Sequence, residues 1–385
     1  MKRLPLIALI LPIVFMTMAH GAPADNAPVV SVITSYQEYD PFQPWQKRDP
    51  SRRSGFGIAI DDSHVVTTAG LVRNHTLIEI RLARSGEYIT ATLLKTDPQV
   101  GLALLHVADT SQLAALSPPT FTDRIPVKNG VEIVQFDETS SIQRGDGRIL
   151  KVLVEALPNV PYSALQGDVL TDLNVEGEGA AVFHKEKLAG LMLSYSRSSR
   201  TGKMLPTAFI RRFVQDAMDG NYNGVASAGF SWKPLVDPSK RAFLGVESET
   251  GGIQVLSCLP EAAANNGLKS NDVILSWDGH AVDNLGYYTD AHYGRLLFPH
   301  LIKGLRNPGD IIPVSVIREG ATQKIKVRLT CRNEANDLVP ENVEGGPDAY
   351  LIEGGLLVRE LSGRLLKAYG GQWQTRVDPR LAHLY

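Results

Sequence analysis

The chain has 385 residues, with 39 Lys plus Arg against 41 Asp plus Glu and a formal charge of −2. It has no basic excess of the kind a nucleic-acid binder shows, and 43% apolar residues argue against wholesale disorder. Two cysteines exclude a disulfide-dense miniprotein and a four-cysteine zinc site, and no HxxxH or HxH spacing suggests another metal centre, so neither metal nor cofactor is expected.

At about 150 residues per domain, the length fits two or three domains. Residues 1–22 read as an export signal: Lys2 and Arg3, an uncharged apolar run from Leu4 to Met18, then small residues up to Ala22. The run is shorter than the roughly 20 residues of a bilayer-spanning helix, and no later stretch is long enough. The mature chain is therefore expected to be exported, periplasmic or secreted, with no membrane span. Residues 23–50 are Pro-rich and read as an irregular N-terminal arm, although Tyr36, Tyr39, Phe42 and Trp45 are aromatic for a tail.

Over 51–218, short apolar or alternating runs recur between turn signals (GFGIAI, HVVTTA, LIEIRLA, GLALLHV, VEIVQF, LAGLMLSY). Many short strands at this spacing predict a β-barrel or sandwich. Apolar residues three and four apart in LPTAFIRRFVQDAM predict an amphipathic helix closing the unit. A Gly/Ser/Pro-rich linker is expected over 219–240.

A second unit is expected over 241–332: strands FLGVES and GIQVLS, a short helix PEAAANNG, strand DVILSW, and a longer helical stretch ending near Leu305. A hairpin turning at Glu319-Gly320 closes it. Cys258 and Cys331 end strand-like runs; export would allow a disulfide between them, and two buried thiols are the alternative. Residues 333–385 are less regular, with a strand-like LIEGGLLVREL and a helical GRLLKAYGG.

Taken in order, these segments resemble the HtrA/Deg proteins. Ser54-Gly55-Phe56-Gly57-Ile58 is similar to the family's SGFxI strand, Val65–Val72 to VTNNHVV, and Lys95–Leu105 to TDPxxDLALL. The stretch from Thr171-Asp172 to Phe183 stands in the place of TDA…GNSGGPLV. Leu244-Gly245-Val246 and Pro260–Ile274 are close to the LGV…PAxxAGLKxGDVI pattern of a PDZ domain, and Tyr350–Leu356 resembles the start of a second PDZ-like region. The resemblance implies a mainly β protein: a degenerate trypsin-like double β-barrel (51–218) followed by a PDZ domain (241–332) and an extension (333–385).

Active members of the family use a Ser nucleophile, a His base and an orienting Asp. The matching positions here are Glu178, Gly70 and Gly101, so no catalytic residue is expected. Glycine cannot act as a base, and a carboxylate at the Ser position would repel a developing oxyanion. Among the other histidines, His64, His75 and His106 read as surface or half-buried groups, and His184 is the only conceivable stand-in.

What the resemblance leaves is binding. A peptide or protein C-terminus would add as a strand along the PDZ groove, with Ala242, Phe243, Leu244, Gly245, Val246, Leu301 and Ile302 as its expected lining. The expected role is that of an adaptor, regulator or quality-control scaffold; an active serine-type endopeptidase and a holdase-like chaperone are the alternatives. The arm aromatics resemble the family's trimer-forming segment, which implies a possible homotrimer. The apolar end His383-Leu384-Tyr385 could dock in a PDZ groove.

Overall fold

Alternating apolar residues become strands that close on themselves twice. The computed structural model describes residues 27–385 except 84–86, 138, 140, 159–161, 248–249, 261–266, 332–337 and 342–348. The expected signal at 1–22 lies outside the described residues, as does nearly all of the helix expected at PEAAANNG.

The first barrel comprises β1 (Val29–Tyr36), β2 (Ser51–Ala59), β3 (His64–Thr68), β4 (His75–Arg81), β5 (Tyr88–Asp97) and β6 (Leu102–Val107), closed in the order β1-β2-β3-β6-β5-β4. The second repeats that order with β7 (Gly130–Phe136), β8 (Ile142–Ala156), β9 (Ser163–Thr171), β10 (Ala181–His184), β11 (Lys187–Ser196) and β12 (Thr201–Pro206). Strand β6 shows why the apolar runs are continuous rather than alternating. Ala103, Leu105 and Val107 fill the first barrel, while Leu102 and Leu104 face the core shared with the second.

Two helical turns, α1 (Ala69–Val72) and α2 (Thr110–Leu113), belong to the first barrel's connections. The predicted amphipathic helix is α3 (Thr207–Met218), which buries Phe209, Ile210 and Phe213 in the shared core.

Two expected boundaries are corrected. The arm at 23–50 contains β1, paired with both β2 and β4 and needed to close the barrel. Its Val29, Val30 and Val32 are all buried because a barrel strand has an inner and a packed outer face. The expected linker at 219–240 carries β13 (Ala226–Ser227) and β14 (Phe230–Pro234), both part of the second unit.

That unit's sheet runs β14-β15-β16-β20-β21, where β15 is Ile253–Cys258, β16 is Val273–Trp277, β20 is Ile311–Arg318 and β21 is Ala321–Arg328. A two-residue strand β17 (His280–Ala281) adds to β16. The β20–β21 hairpin turns at Glu319 and Gly320, both at positive φ (52° and 77°), as a tight two-residue turn requires.

Two further expectations fail. The described part of FLGVES, Phe243–Glu247, is not a strand: Asp237 caps a helix, α4 (Pro238–Phe243), through its carboxylate, and Pro238 sits in the first turn. The longer helical stretch ending near Leu305 is instead a hairpin, β18 (Tyr287–Asp290) with β19 (Gly294–Leu297), followed by a short helix α5 (Pro299–Lys303). Asp290 accepts the His292 and Tyr293 N–H groups in the hairpin turn, and Gly294 supplies φ +75°.

Strand β22 (Thr330–Cys331) pairs with β13. The extension holds the hairpin β23 (Tyr350–Glu353) and β24 (Leu356–Arg359), then α6 (Gly363–Lys367), α7 (Trp373–Arg376) and α8 (Pro379–Leu384), with a small core of Val339, Leu366, Trp373 and Val377. No disulfide joins Cys258 and Cys331, which corrects the disulfide expectation. They lie on different two-strand ladders, Cys258 opposite Phe230 and Cys331 opposite Ala226, not side by side.

Candidate functional site

Gly70, Gly101 and Glu178, the positions singled out by the resemblance, lie near one another between the barrels. Gly70 lies in α1 directly after β3, Gly101 in the β5–β6 turn, and Glu178 in the β9–β10 loop of the second barrel. The Ala69 N–H donates to the Gly101 carbonyl at 2.9 Å. A Cβ on Gly70 would stand 2.9 Å from Glu178 Oε2 and 3.6 Å from its Cδ. The Glu178 carboxylate thus occupies the space next to Gly70, where it accepts a 2.8 Å hydrogen bond from the hydroxyl of buried Thr68.

Glycines hold the Glu178 loop tightly to β2. The Phe56 N–H donates to the Glu178 carbonyl at 2.8 Å. Gly177 and Gly179 both have φ +89°, and a Cβ on Gly179 would stand 2.1 Å from the Phe56 carbonyl oxygen. Only glycine allows so close a backbone approach.

An oxyanion hole of the trypsin kind uses the N–H of the nucleophile position and of the residue two before it. Here the latter belongs to Glu176, and it donates to Gln135 Oε1 at 3.1 Å. Gln135 is itself buried and fixed by its Nε2, which donates to Gln143 Oε1 (2.8 Å) and the Asn174 carbonyl (2.9 Å).

His64, His75 and His184 are bonded to other groups. His64 lies four residues before Thr68 on β3, about 13 Å along the strand, with its Nδ1 2.8 Å from Asp61 Oδ2 and its ring 5.5 Å from that of His106. His75 Nδ1 donates to the Val72 carbonyl (3.0 Å), and His184 Nδ1 to the Gly130 carbonyl (2.8 Å). Among the described residues, no cluster of three His, Cys, Asp or Glu side chains is arranged to hold a metal.

Two neighbours escaped the sequence reading. Arg53, from β2, donates to the Gly70 carbonyl (2.7 Å) and the Arg73 carbonyl (2.9 Å), and its guanidinium stacks 3.6 Å over the Tyr36 ring. Burial pulls the Arg53 guanidinium below its usual range. Asp97, at the end of β5, accepts the Gly101 N–H through its carbonyl (2.9 Å), the Gln99 N–H through its carboxylate (2.8 Å), and the Tyr222 hydroxyl. Burial raises the Asp97 carboxyl above its usual range despite these hydrogen bonds. Its place in the TDP stretch was the available signal. Beside the Glu178 loop a cleft of about 320 Å³ opens between the barrels, with Arg52, Arg53, Arg81 and Tyr88 on the first barrel's wall and Asp137 and Glu176 on the second's.

The expected peptide-binding residues do not form one surface. Leu244 and Val246 pack with Leu235, Val273 and Ile317, whereas Leu301 and Ile302 pack with Ile274, Val316 and Trp277. Neighbouring strand residues point to opposite faces, so the pairs Val273/Ile274 and Val316/Ile317 put the two sets on opposite sides of the sheet. Ala242 and Phe243 belong to α4, and Gly245, at φ +72°, abuts the Gly320 turn, where an added Cβ would lie 2.6 Å from the Gly320 Cα.

Strand β14 is one of the two edge strands of that sheet, with β21 at the other edge; among the described residues its only strand partner is β15, and it follows directly on Ala228-Gly229. Phe230 faces Trp277 and Phe298, and the Trp232 ring lies 5.0 Å from that of Phe298, just before α5. This arrangement is anchored to the second barrel. Arg212, from α3, donates to the carbonyls of Lys303 (2.8 Å), Gly304 (2.9 Å) and Arg306 (3.1 Å), and Ile125 N–H donates to the Tyr293 hydroxyl at 2.9 Å.

The chain's end does not reach this edge. Tyr385 packs edge-on against Trp373 at 5.2 Å, and its hydroxyl donates to Glu341. The tail is thus not docked in a groove of its own chain.

No family model matches the chain. It is similar to Protease Do-like 2, chloroplastic, of Arabidopsis thaliana, with 27% identity over 356 residues. It is also similar to Protease Do-like 4, mitochondrial, of the same plant (23% over 345 residues) and to a Pseudomonas putida protein named "Probable periplasmic serine endoprotease DegP-like" (26% over 336 residues). These alignments cover 90%, 86% and 84% of this chain, and 57%, 64% and 65% of the respective relatives. Among solved structures, the HtrA-type protease AlgW with decapeptide superposes with a TM-score of 0.60 at 20% identity, over 80% of this chain and 96% of that one. A serine endoprotease from Yersinia pestis gives 0.53 at 17% identity, over 80% and 95%. Among the described residues, no helix is long and apolar enough to cross a membrane. In sequence and in its pair of matching barrels, the chain is a homologue of the HtrA/Deg, or Do-like, proteases.

Proposed function

We propose that this protein is an exported HtrA-like pseudoprotease that binds extended peptide or protein segments and does not cleave them. The observation that carries the reading is the Glu178 carboxylate standing against Gly70 and held by Thr68. Nucleophile, base and orienting acid are absent together, and Glu176 N–H, one of the two oxyanion donors, is committed to Gln135. A carboxylate at that point raises the energy of an oxyanion instead of lowering it.

Binding needs none of those groups. A peptide can add to the open edge of β14 by backbone hydrogen bonds, with its end near Ala228-Gly229-Phe230. This moves the proposed PDZ-like groove from 242–246 to 228–234. The solved relative with a bound decapeptide supports peptide binding as the function that survives.

Two measurements test the proposal. Purified protein is incubated with unfolded casein and a fluorophosphonate probe; no turnover and no labelled serine are expected, and either one would return the protein to the active endopeptidases. Hydrogen exchange is then followed with extended peptides bearing a free apolar C-terminus. Slowed exchange in Phe230–Pro234 is expected, and protection confined to Ala242–Val246 would overturn the assignment of the edge. Suppression of casein aggregation without peptide protection at β14 would favour the holdase reading.

A further inference from the structure

Two histidines away from the cleft stand directly opposite each other on the wall of the first barrel. His64 of β3 pairs with His106 of β6, and His106 pairs in turn with Thr92 of β5. Directly opposed residues share a face of the sheet, with Cβ atoms about 4.5–5.5 Å apart. Two residues further along, Val66 and Leu104 point from that same face into the core shared by the barrels. The histidines lie where this face runs out towards solvent: the His64 side chain is 18% exposed, and His106 is half-buried.

The pair is prepared on one side and unfinished on the other. His64 Nδ1 lies 2.8 Å from Asp61 Oδ2, 3.0 Å from Oδ1 and 3.2 Å from the Ser63 hydroxyl. The carboxylate is the strongest acceptor in reach, so in the neutral ring the proton sits on Nδ1 and the lone pair on Nε2. Asp61 is itself fixed, because its Oδ1 accepts the Ser63 N–H (2.8 Å) and the His64 N–H (2.7 Å). His106 has no comparable support: its Nδ1 is buried and makes no hydrogen bond among the described residues. Thr92 directs its hydroxyl to the His106 carbonyl, at 3.4 Å, and not to the ring. A buried imidazole nitrogen without a bond calls for a partner, and an ion is one of the few kinds available.

The spacing of the rings suits a shared ion. A zinc–imidazole bond is about 2.0–2.1 Å, and a ring centre lies roughly 1.2 Å behind its nitrogen, so two imidazoles on one tetrahedral ion hold their centres about 5 Å apart. The His64 and His106 centres are 5.5 Å apart and their planes are tilted by 44°. A small side-chain rotation covers the difference. The carboxylate on the far nitrogen of His64 is the usual support of a ligating histidine, since it fixes the ring and raises its basicity.

We propose that His64 and His106 together bind one borderline divalent transition-metal ion, of the Zn²⁺ and Cu²⁺ class, with Asp61 as the orienting partner of His64 and water in the remaining positions. Imidazole nitrogen favours such ions over Mg²⁺ and Ca²⁺, which take oxygen ligands. Asp61 orients and does not ligate, because both its oxygens are engaged within its own turn. The site therefore has two protein ligands, brought together by strand pairing and not by short spacing in the chain. The ion ties β3, which leads into α1 and Gly70, to β6, which leaves the Gly101 turn.

The test uses the untagged full chain, titrated with ZnCl₂ from about 1 to 500 μM and followed by calorimetry and thermal melts. One Zn²⁺ per chain is expected, with a rise in melting temperature that EDTA reverses and that MgCl₂ does not produce. His106→Ala should weaken Zn²⁺ binding at least about ten-fold, and Asp61→Asn about ten-fold. His383→Ala, on the exposed last helix, should leave it unchanged. Paramagnetic resonance of the wild type with one equivalent of CuCl₂ keeps the test independent of whether a variant folds: coupling to two imidazole nitrogens is expected, and to one in His106→Ala. No saturable Zn²⁺ binding by the wild type, an affinity indifferent to His106→Ala, or a wild-type Cu²⁺ spectrum with a single imidazole nitrogen would each overturn the proposal, and Asp61→Asn without effect would overturn the orienting role.

Discussion

The Glu178 carboxylate of the second barrel accepts the Thr68 hydroxyl of the first at 2.8 Å. This single hydrogen bond spans the place where a hydrolase would hold its reacting atoms. That place is therefore filled by a partnered carboxylate.

The substitutions Gly70→His, Gly101→Asp and Glu178→Ser, made together, should not restore a protease. Glu176 N–H remains bound to Gln135 Oε1 at 3.1 Å, leaving at most one oxyanion donor of the usual two. One missing donor costs about 10²–10³ in kcat. Casein turnover by the triple variant should stay at least about 100-fold below that of an active relative; comparable turnover would show that the β9–β10 loop can rearrange.

His300 should make the fold sensitive to mild acid. It is buried in α5 with its Nδ1 lacking a partner among the described residues, and burial pulls its pKa down to about 4, against a smaller upward pull from Asp290 and a further downward push from Arg212. Between pH 6.5 and about 4 the unfolded chain binds the proton and the folded chain does not. Stability therefore falls as pH drops through that window and levels off below it, by at most about 3 kcal/mol. Urea melts at pH 7, 5.5 and 4 should show the slope in the wild type and a flatter profile in His300→Phe.

Asp97 has the opposite sign. Its raised carboxyl pKa means that the folded chain keeps a proton the unfolded chain has lost, so its contribution declines as pH rises from the usual carboxylate range through the folded value. At neutral pH the buried charge is a cost. Asp97→Asn removes that charge, and the Tyr222 hydroxyl can turn to meet the amide. The variant should match or exceed the wild type by up to about 2 kcal/mol at pH 7 and lose that advantage near pH 4; a variant equally destabilised at both pH values would refute the account.

Arg318 and Asp272 form the ion pair most sensitive to half-removal. The Asp272 carboxylate is almost wholly buried and takes two bonds from Arg318, Nε to Oδ1 and Nη2 to Oδ2, each 2.7 Å, besides the Lys269 N–H at 2.8 Å. Arg318→Leu strands that charge and should cost about 3–5 kcal/mol. Denaturant unfolding measures it, and a loss below about 1 kcal/mol would mean that water replaces the guanidinium.

Local chemistry explains which features were legible in the sequence. Strand runs, the Glu319-Gly320 turn and the α3 stripe are short-range patterns, and each appears in the structure. Gly70, Gly101 and Glu178 stand together because the segments that carry them kept their order and approximate spacing. Strand β1 was hidden among prolines, and its Val29–Tyr36 run lies apart from the other strands, beyond the loop at 37–50. Leu244-Gly245-Val246 was read through its likeness to a motif, while the local signal was Asp237-Pro238, a cap and a first helical turn. The pairing of Phe42 and Trp45 with Tyr369 and Tyr350 joins residues some three hundred positions apart, for which one sequence carries no short-range sign.

Arg212 grips three carbonyls, of Lys303, Gly304 and Arg306, at the C-terminal end of α5, and this has a mechanical result. The sheet that ends in β14 is bolted to the second barrel, not slung from a tether. A peptide added along that rim, as proposed, would be presented at a set distance and angle from the cleft between the barrels.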